Sequence, residues 1–228
     1  MWSSLLVTLA AAALHAAPAA AVPDVGVHGP KGSVITVVVD SEALRKSPHR
    51  QHYALLVQAV PDYQRVVGQS GLDPIDVYDR VLMSSADPTQ LTATVLVATT
   101  ARDDKELAGL LDTVAGEKLA WKRGAGLETA RPEGAWWVQR GDPRVFMRAG
   151  KGTIAFARPE AGAWFSKAAR RGKKAGFPPR LEDNAVLVAD IKDLGLPLEG
   201  AGARLPRPER GRVAVLDGKR PEARILLS

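Results

Sequence analysis

The stretch SPHRQH, residues 47–52, sets two imidazoles three positions apart. If Ser47 caps a helix, His49 and His52 lie on one face of its first turns, where two imidazoles can share a metal ion. Such a pair needs another ligand, and the fold would have to bring His28 or Asp40 to it. The same stripe runs on through Tyr53, Leu56 and Val60. It therefore also reads as the core side of an ordinary helix, with the histidines partly covered at its start. A metal-dependent enzyme using His49 and His52 is kept as an alternative, and no cofactor is assigned.

Other spacings fall short of known chemistry. Asp73, Asp76 and Asp79 could gather carboxylates for calcium, but their intervals do not match an EF-hand loop, and Asp73-Pro74 has the form of a helix cap followed by proline. GQSG, residues 68–71, approaches a nucleophile elbow, yet Leu72 stands where its last glycine belongs. AGKGT, residues 149–153, echoes a phosphate loop, yet Val145 and Gly152 occupy the places of its first glycine and its hydroxyl residue. No catalytic residue is nominated, and the balance leans against an enzyme.

Two features point instead to a binding surface. KAARRGKKAG, residues 167–176, collects Lys167, Arg170, Arg171, Lys173 and Lys174. It suits anionic lipid or glycan, or else a helix C-terminus where cations meet the negative end of the dipole and Gly172 or Gly176 stops the helix. Among the tryptophans, Trp136 and Trp137 would face opposite sides of a strand, so Trp137 beside Arg140 is a candidate ligand contact.

The elements that must position these groups follow from periodicity and punctuation. SVITVVVD, residues 33–40, reads as a strand covered on both faces. Ser47-Pro48 starts a helix to about Val60, DYQRVVGQ forms a second, and residues 74–78 make one turn. Strands follow at 79–86 and 91–100, then an amphipathic helix over 102–117 with Leu107, Leu110, Leu111 and Val114 on one stripe. LAWKRG, AWWVQRG, RVFMRAG and GTIAFAR read as an antiparallel meander, and residues 160–171 as a helix. NAVLVADI, RVAVL and EARILLS close the chain as strands, and residues 193–211 form a Pro- and Gly-rich covering loop. The expected fold class is α+β: a mainly antiparallel sheet of repeated strand-strand-helix units with helices on one face.

Compartment comes from the first residues and from composition. Leu5 to Leu14 is an apolar run of signal-peptide length, followed by Pro18 and the small residues Ala19 to Ala21, although no Lys or Arg precedes it. The reading is an export leader over residues 1–21, with no transmembrane anchor in the mature chain. Residues 22–228 then form one α+β domain, or two similar halves at about 32–117 and 118–228. The chain has no cysteine, which excludes disulfides, thiolate catalysis and zinc ribbons. Residues 1–114 carry a net charge of −4 and residues 115–228 one of +10, a field that can steer anionic partners.

Through VFMRAGKGTIAFARPEAGAWF, residues 145–165, the chain resembles uncharacterised exported bacterial proteins built from repeated strand-strand-helix units. The resemblance implies fold and compartment and brings no functional residue with it. The function expected is that of an exported, periplasmic or secreted, non-catalytic binding or structural protein of the bacterial cell envelope. Its partner would be an envelope component such as an anionic lipid, a glycan or a protein, with nucleic acid disfavoured by the compartment. A module binding anionic lipid or glycan through the basic second half is the other alternative.

Overall fold

A computed structural model of the 228-residue chain describes residues 24–53, 71–124, 126–134, 137–138, 141–175, 177–181, 184–192 and 210–227. The expected leader, the expected helix DYQRVVGQ and most of the 193–211 stretch lie outside them. Strands β1 (Ile35–Asp40), β2 (Arg80–Ser85), β3 (Thr94–Thr99), β4 (Lys122–Gly124), β5 (Leu127–Ala130), β6 (Val145–Arg148), β7 (Thr153–Ala157), β8 (Ala185–Lys192), β9 (Arg210–Leu216) and β10 (Glu222–Leu227) form one sheet. Its order is β10-β9-β8-β1-β2-β3-β7-β6-β5-β4, with every neighbour antiparallel. The antiparallel α+β architecture expected from the sequence is therefore what the chain adopts.

Helices α1 (Ser41–Lys46), α2 (Pro74–Val77), α3 (Asp104–Ala115) and α4 (Gly162–Ala175) cover the sheet. Side chains alternate across a strand, so the register sorts them into two layers. On one face Val38, Leu82, Val97, Ala155 and Met147 pack under Phe165 of α4. On the other, Ala98, Ile154, Phe156 and Phe146 pack under Leu107, Leu111 and Val114 of α3. The same second face continues to Val39, Leu187 and Val215 beneath Leu44, Tyr53 and Ile75. The helices thus divide between the faces, where the repeat-unit reading had put them on one. The sheet order requires two long crossings. From β3 the chain must cross to the far edge at β4, and from β7 it must cross back to β8. The two crossings pass over opposite faces.

Local rules account for the ends. Asp40, Asp73 and Asp103 each accept hydrogen bonds from the first backbone N–H groups of the helix that follows. Gly116 closes α3 in the left-handed conformation, φ 74°. Gly172 does not end α4, which runs on to Ala175. Within AWWVQRG, Trp137 and Val138 are helical rather than extended, with the Trp137 N–H donating to the Gly134 carbonyl at 2.9 Å. Its place in the meander is taken by β5.

Two buried features set strong local constraints. Gly152 sits at φ 63°, and a Cβ there would run into the carbonyl oxygen of Thr100, whose own N–H donates to Gly152 O. Gly152→Ala is expected to cost at least about 1 kcal/mol from backbone conformation alone, and more from the collision, read as a lowered thermal midpoint in calorimetry. Arg144, fully buried, is held by Asp142 through Nε (3.0 and 3.1 Å) and a terminal nitrogen (2.7 Å), with its guanidinium 4.3 Å above the Phe156 ring. Asp142→Ala leaves that cation buried without its carboxylate and should remove about 3–5 kcal/mol of stability in urea unfolding. The double change Asp142→Ala with Arg144→Met should regain most of it.

Candidate functional site

Residues 47–53 begin as the sequence suggests. Ser47 Oγ accepts from the His49 N–H at 2.9 Å, and residues 50–53 are helical. Ser47 Oγ also donates to Asp217 Oδ1 at 2.9 Å, and the Tyr53 hydroxyl donates to the same oxygen at 3.2 Å. His49 Nε2 lies 3.2 Å from the Gly218 carbonyl, which fixes its ring against the β9–β10 turn. Ser47, His49, Tyr53, Asp217 and Gly218 are thus one group that clamps a helix start to a hairpin turn.

The metal reading asks for a third donor. The His49 and His52 ring centroids are 6.3 Å apart, tilted by 52°. Among the described residues no group of three His, Cys, Asp or Glu side chains is placed to hold an ion. The aspartates of 73–79 are likewise spoken for. Asp73 caps α2, Asp76 accepts both 2.8 Å bonds from Arg50, and Asp79 pairs with Arg45 at 2.7 Å.

Of the proposed ligand-binding residues, Trp137 is buried in the α3 layer. Its indole N–H donates to the Ala115 carbonyl at 3.1 Å, and its ring stands edge-on to Phe146 and Phe156. It is a core residue because its segment turns inward rather than running as a strand. Arg140 and the side chains of Lys173 and Lys174 lie outside the described residues. Lys167, Arg170 and Arg171 are exposed on α4, with Arg170 donating back to Ser166 Oγ at 2.6 Å. Trp121 lies under the Arg148 guanidinium, 4.1 Å away, and Trp164 packs edge-on to Phe177.

The site that the sequence reading missed lies on the α4 face at the β8–β9–β10 end. Asp190 of β8 ion-pairs with Arg212 of β9 and accepts from the Gly26 N–H at 2.7 Å, while Arg212 reaches Asp24 at 3.3 Å. Burial works to raise the Asp24 carboxyl, but hydrogen bonding with Asp190, the Arg212 charge and the Gly26 N–H outweigh it and hold the group below its usual range. Residues 24–29 thereby become a strap across the sheet. Gly29 fits where a Cβ would lie 2.5 Å from Ser84 Oγ and 2.6 Å from Thr36 Oγ1. Beside the strap is a cavity of about 420 Å³, lined in part by Asp24, Val27, Lys192, Arg210, Arg212 and Leu226. One signal could have flagged it. Asp190 interrupts the apolar run Ala185–Ile191, and a buried carboxylate there requires a cation partner.

No protein-family model and no curated protein matches the chain. Among solved structures, crystal form I of TP0453 superposes with a TM-score of 0.49 at 9% identity, covering 92% of this chain and 80% of that one. No residue role is transferred from it. Among the described residues, no helix is long and apolar enough to cross a membrane.

The Tyr53 clamp has a pH signature. Burial first, then the Asp217 charge and hydrogen bond, push its hydroxyl up from 10.0 to about 12. Above pH 10 the unfolded chain loses this proton while the folded chain keeps it, so stability is full below that pH and falls as pH rises toward 12. The slope is about 1 kcal/mol per pH unit. Tyr53→Phe should be less stable at neutral pH but should lose less between about pH 9 and about pH 11, measured by denaturant unfolding at both.

Proposed function

We propose that the chain works after export as a non-catalytic binding component of the bacterial cell envelope. The observation that carries this reading is the use of its best acid-base groups. Ser47, His49, Tyr53 and Asp217 are joined to one another and to the β9–β10 turn in a structural clamp. Chemistry at a bond requires groups aimed at a common point where a reacting atom can sit. Here both hydroxyls are aimed at the Asp217 carboxylate and the imidazole at a backbone carbonyl. The surface offers what the interior does not: exposed cations along α4 and around β9 and β10, which can meet an anionic or acidic envelope partner.

The compartment rests on the apolar run Leu5 to Leu14 and the small residues Ala19 to Ala21. Expression of the full chain in a Gram-negative host, with fractionation and intact-mass measurement, should yield a periplasmic product starting at Val22. Full-length material retained in the cytoplasm would overturn the compartment. Turnover of any test substrate that disappears with His49→Ala or His52→Ala would overturn the non-catalytic part.

A further inference from the structure

The two edges of the sheet are unlike. β4, Lys122–Gly124, is three residues long, wholly exposed and basic, the kind of edge that resists pairing. β10 is twice that length. It pairs with β9 on one side, and its outer side has no strand among the described residues. Ile225 and Leu226, in its second half, are half-buried, and its charged residues Glu222 and Arg224 pair with each other at 2.9 Å. The strand itself has no proline or bulge, so its backbone is fit to accept a further strand.

Charge brackets this edge. Lys219 and Arg220 are exposed at the turn before it, and Lys192 and Arg210 are exposed at the far end, beside the cavity that Leu226 lines. None of these four makes an ion pair among the described residues. Across six residues the two basic ends stand about 20 Å apart. Leu226 shares its face with Arg224 and Glu222, so a strand laid along β10 would send alternate side chains over that face. One of them would meet the cavity, whose wall includes Val27, itself 71% exposed.

We propose that the outer edge of β10 receives, by strand addition, an extended segment of a partner protein that is apolar at its centre and acidic at both ends. The inference deepens the binding reading above by naming the surface and the partner's chemistry. Main-chain hydrogen bonds supply affinity. The two basic ends select acidic flanks, and the cavity beside Leu226 takes an apolar side chain. A second copy of this chain is the wrong occupant. Set antiparallel against itself, β10 brings the Lys219–Arg220 end of one copy to the Lys192–Arg210 end of the other, and like charges meet.

The test uses purified protein and a fluorescein-labelled peptide of sequence EDVTIVTLDE, followed by fluorescence polarisation. Binding is expected, weakening about tenfold or more between about 50 mM and about 300 mM salt. Reversal at either end, Lys219→Glu with Arg220→Glu or Lys192→Glu with Arg210→Glu, should weaken it about tenfold, with circular dichroism confirming that these exposed changes leave the fold intact. A peptide with proline at its central isoleucine should lose binding. Equal affinity for a scrambled peptide with its acids at the centre would overturn the proposal. So would no binding by folded protein, or binding to phosphatidylglycerol vesicles that both reversals abolish while the peptide is ignored. A dimer in sedimentation that the same reversals dissolve would also overturn it, by giving the edge to a second copy. Because the assay needs no export step, its failure would leave the compartment reading standing, and a cytoplasmic chain could still bind the peptide.

Discussion

The structure depends on burying both faces of one antiparallel sheet at its centre. Val38 and Leu82 lie at 0% exposure on one side while Val39 and Val81 pack into clusters on the other, so β1 and β2 need two covers. A sheet that leaves one face in water can be made from hairpins alone. This one cannot, and the two long crossings carry α3 and α4 to opposite faces. Several polar groups that remain inside are paired: Thr36 with Ser84 at 2.9 Å, Arg144 with Asp142, and Asp190 with Arg212.

Much of this architecture could be read in the chain because the relevant signals are local. The run ITVVVD has a single polar residue, Thr36, before its last, and it is a strand inside the sheet. Leu107, Leu111 and Val114 at helical spacing, with Asp103 ahead and Gly116 behind, mark α3 at both ends. α1 went unread although Asp40 sits three residues before the Ala43 N–H it captures, because a strand of apolar residues runs directly into that cap. β5, LETA, carries too few apolar residues to announce itself and is specified by pairing with β6. The choice of face for α3 and α4 is a matter of long-range packing, which no local pattern encodes.

The candidate sites were legible in part, and for a related reason. Ser47 as a cap was visible, but the groups that hold its neighbours, Asp217 and Gly218, are about 170 residues away in the chain and come close only through the hairpin. Trp137 looked like a surface residue because its segment alternates like a strand. In three dimensions the segment turns, and the indole fills the space under α3. The Asp24–Arg212–Asp190 group is likewise assembled from both ends of the chain.

That last distance has a bearing on the order of events during synthesis. The strap of residues 24–29 is fastened by Asp190 and Arg212, which are made late, and β1 cannot gain its second neighbour until β8 exists. Residues 24–29 are therefore without their native anchors for most of translation. This topology defers closure of the sheet until nearly all of the chain has been made.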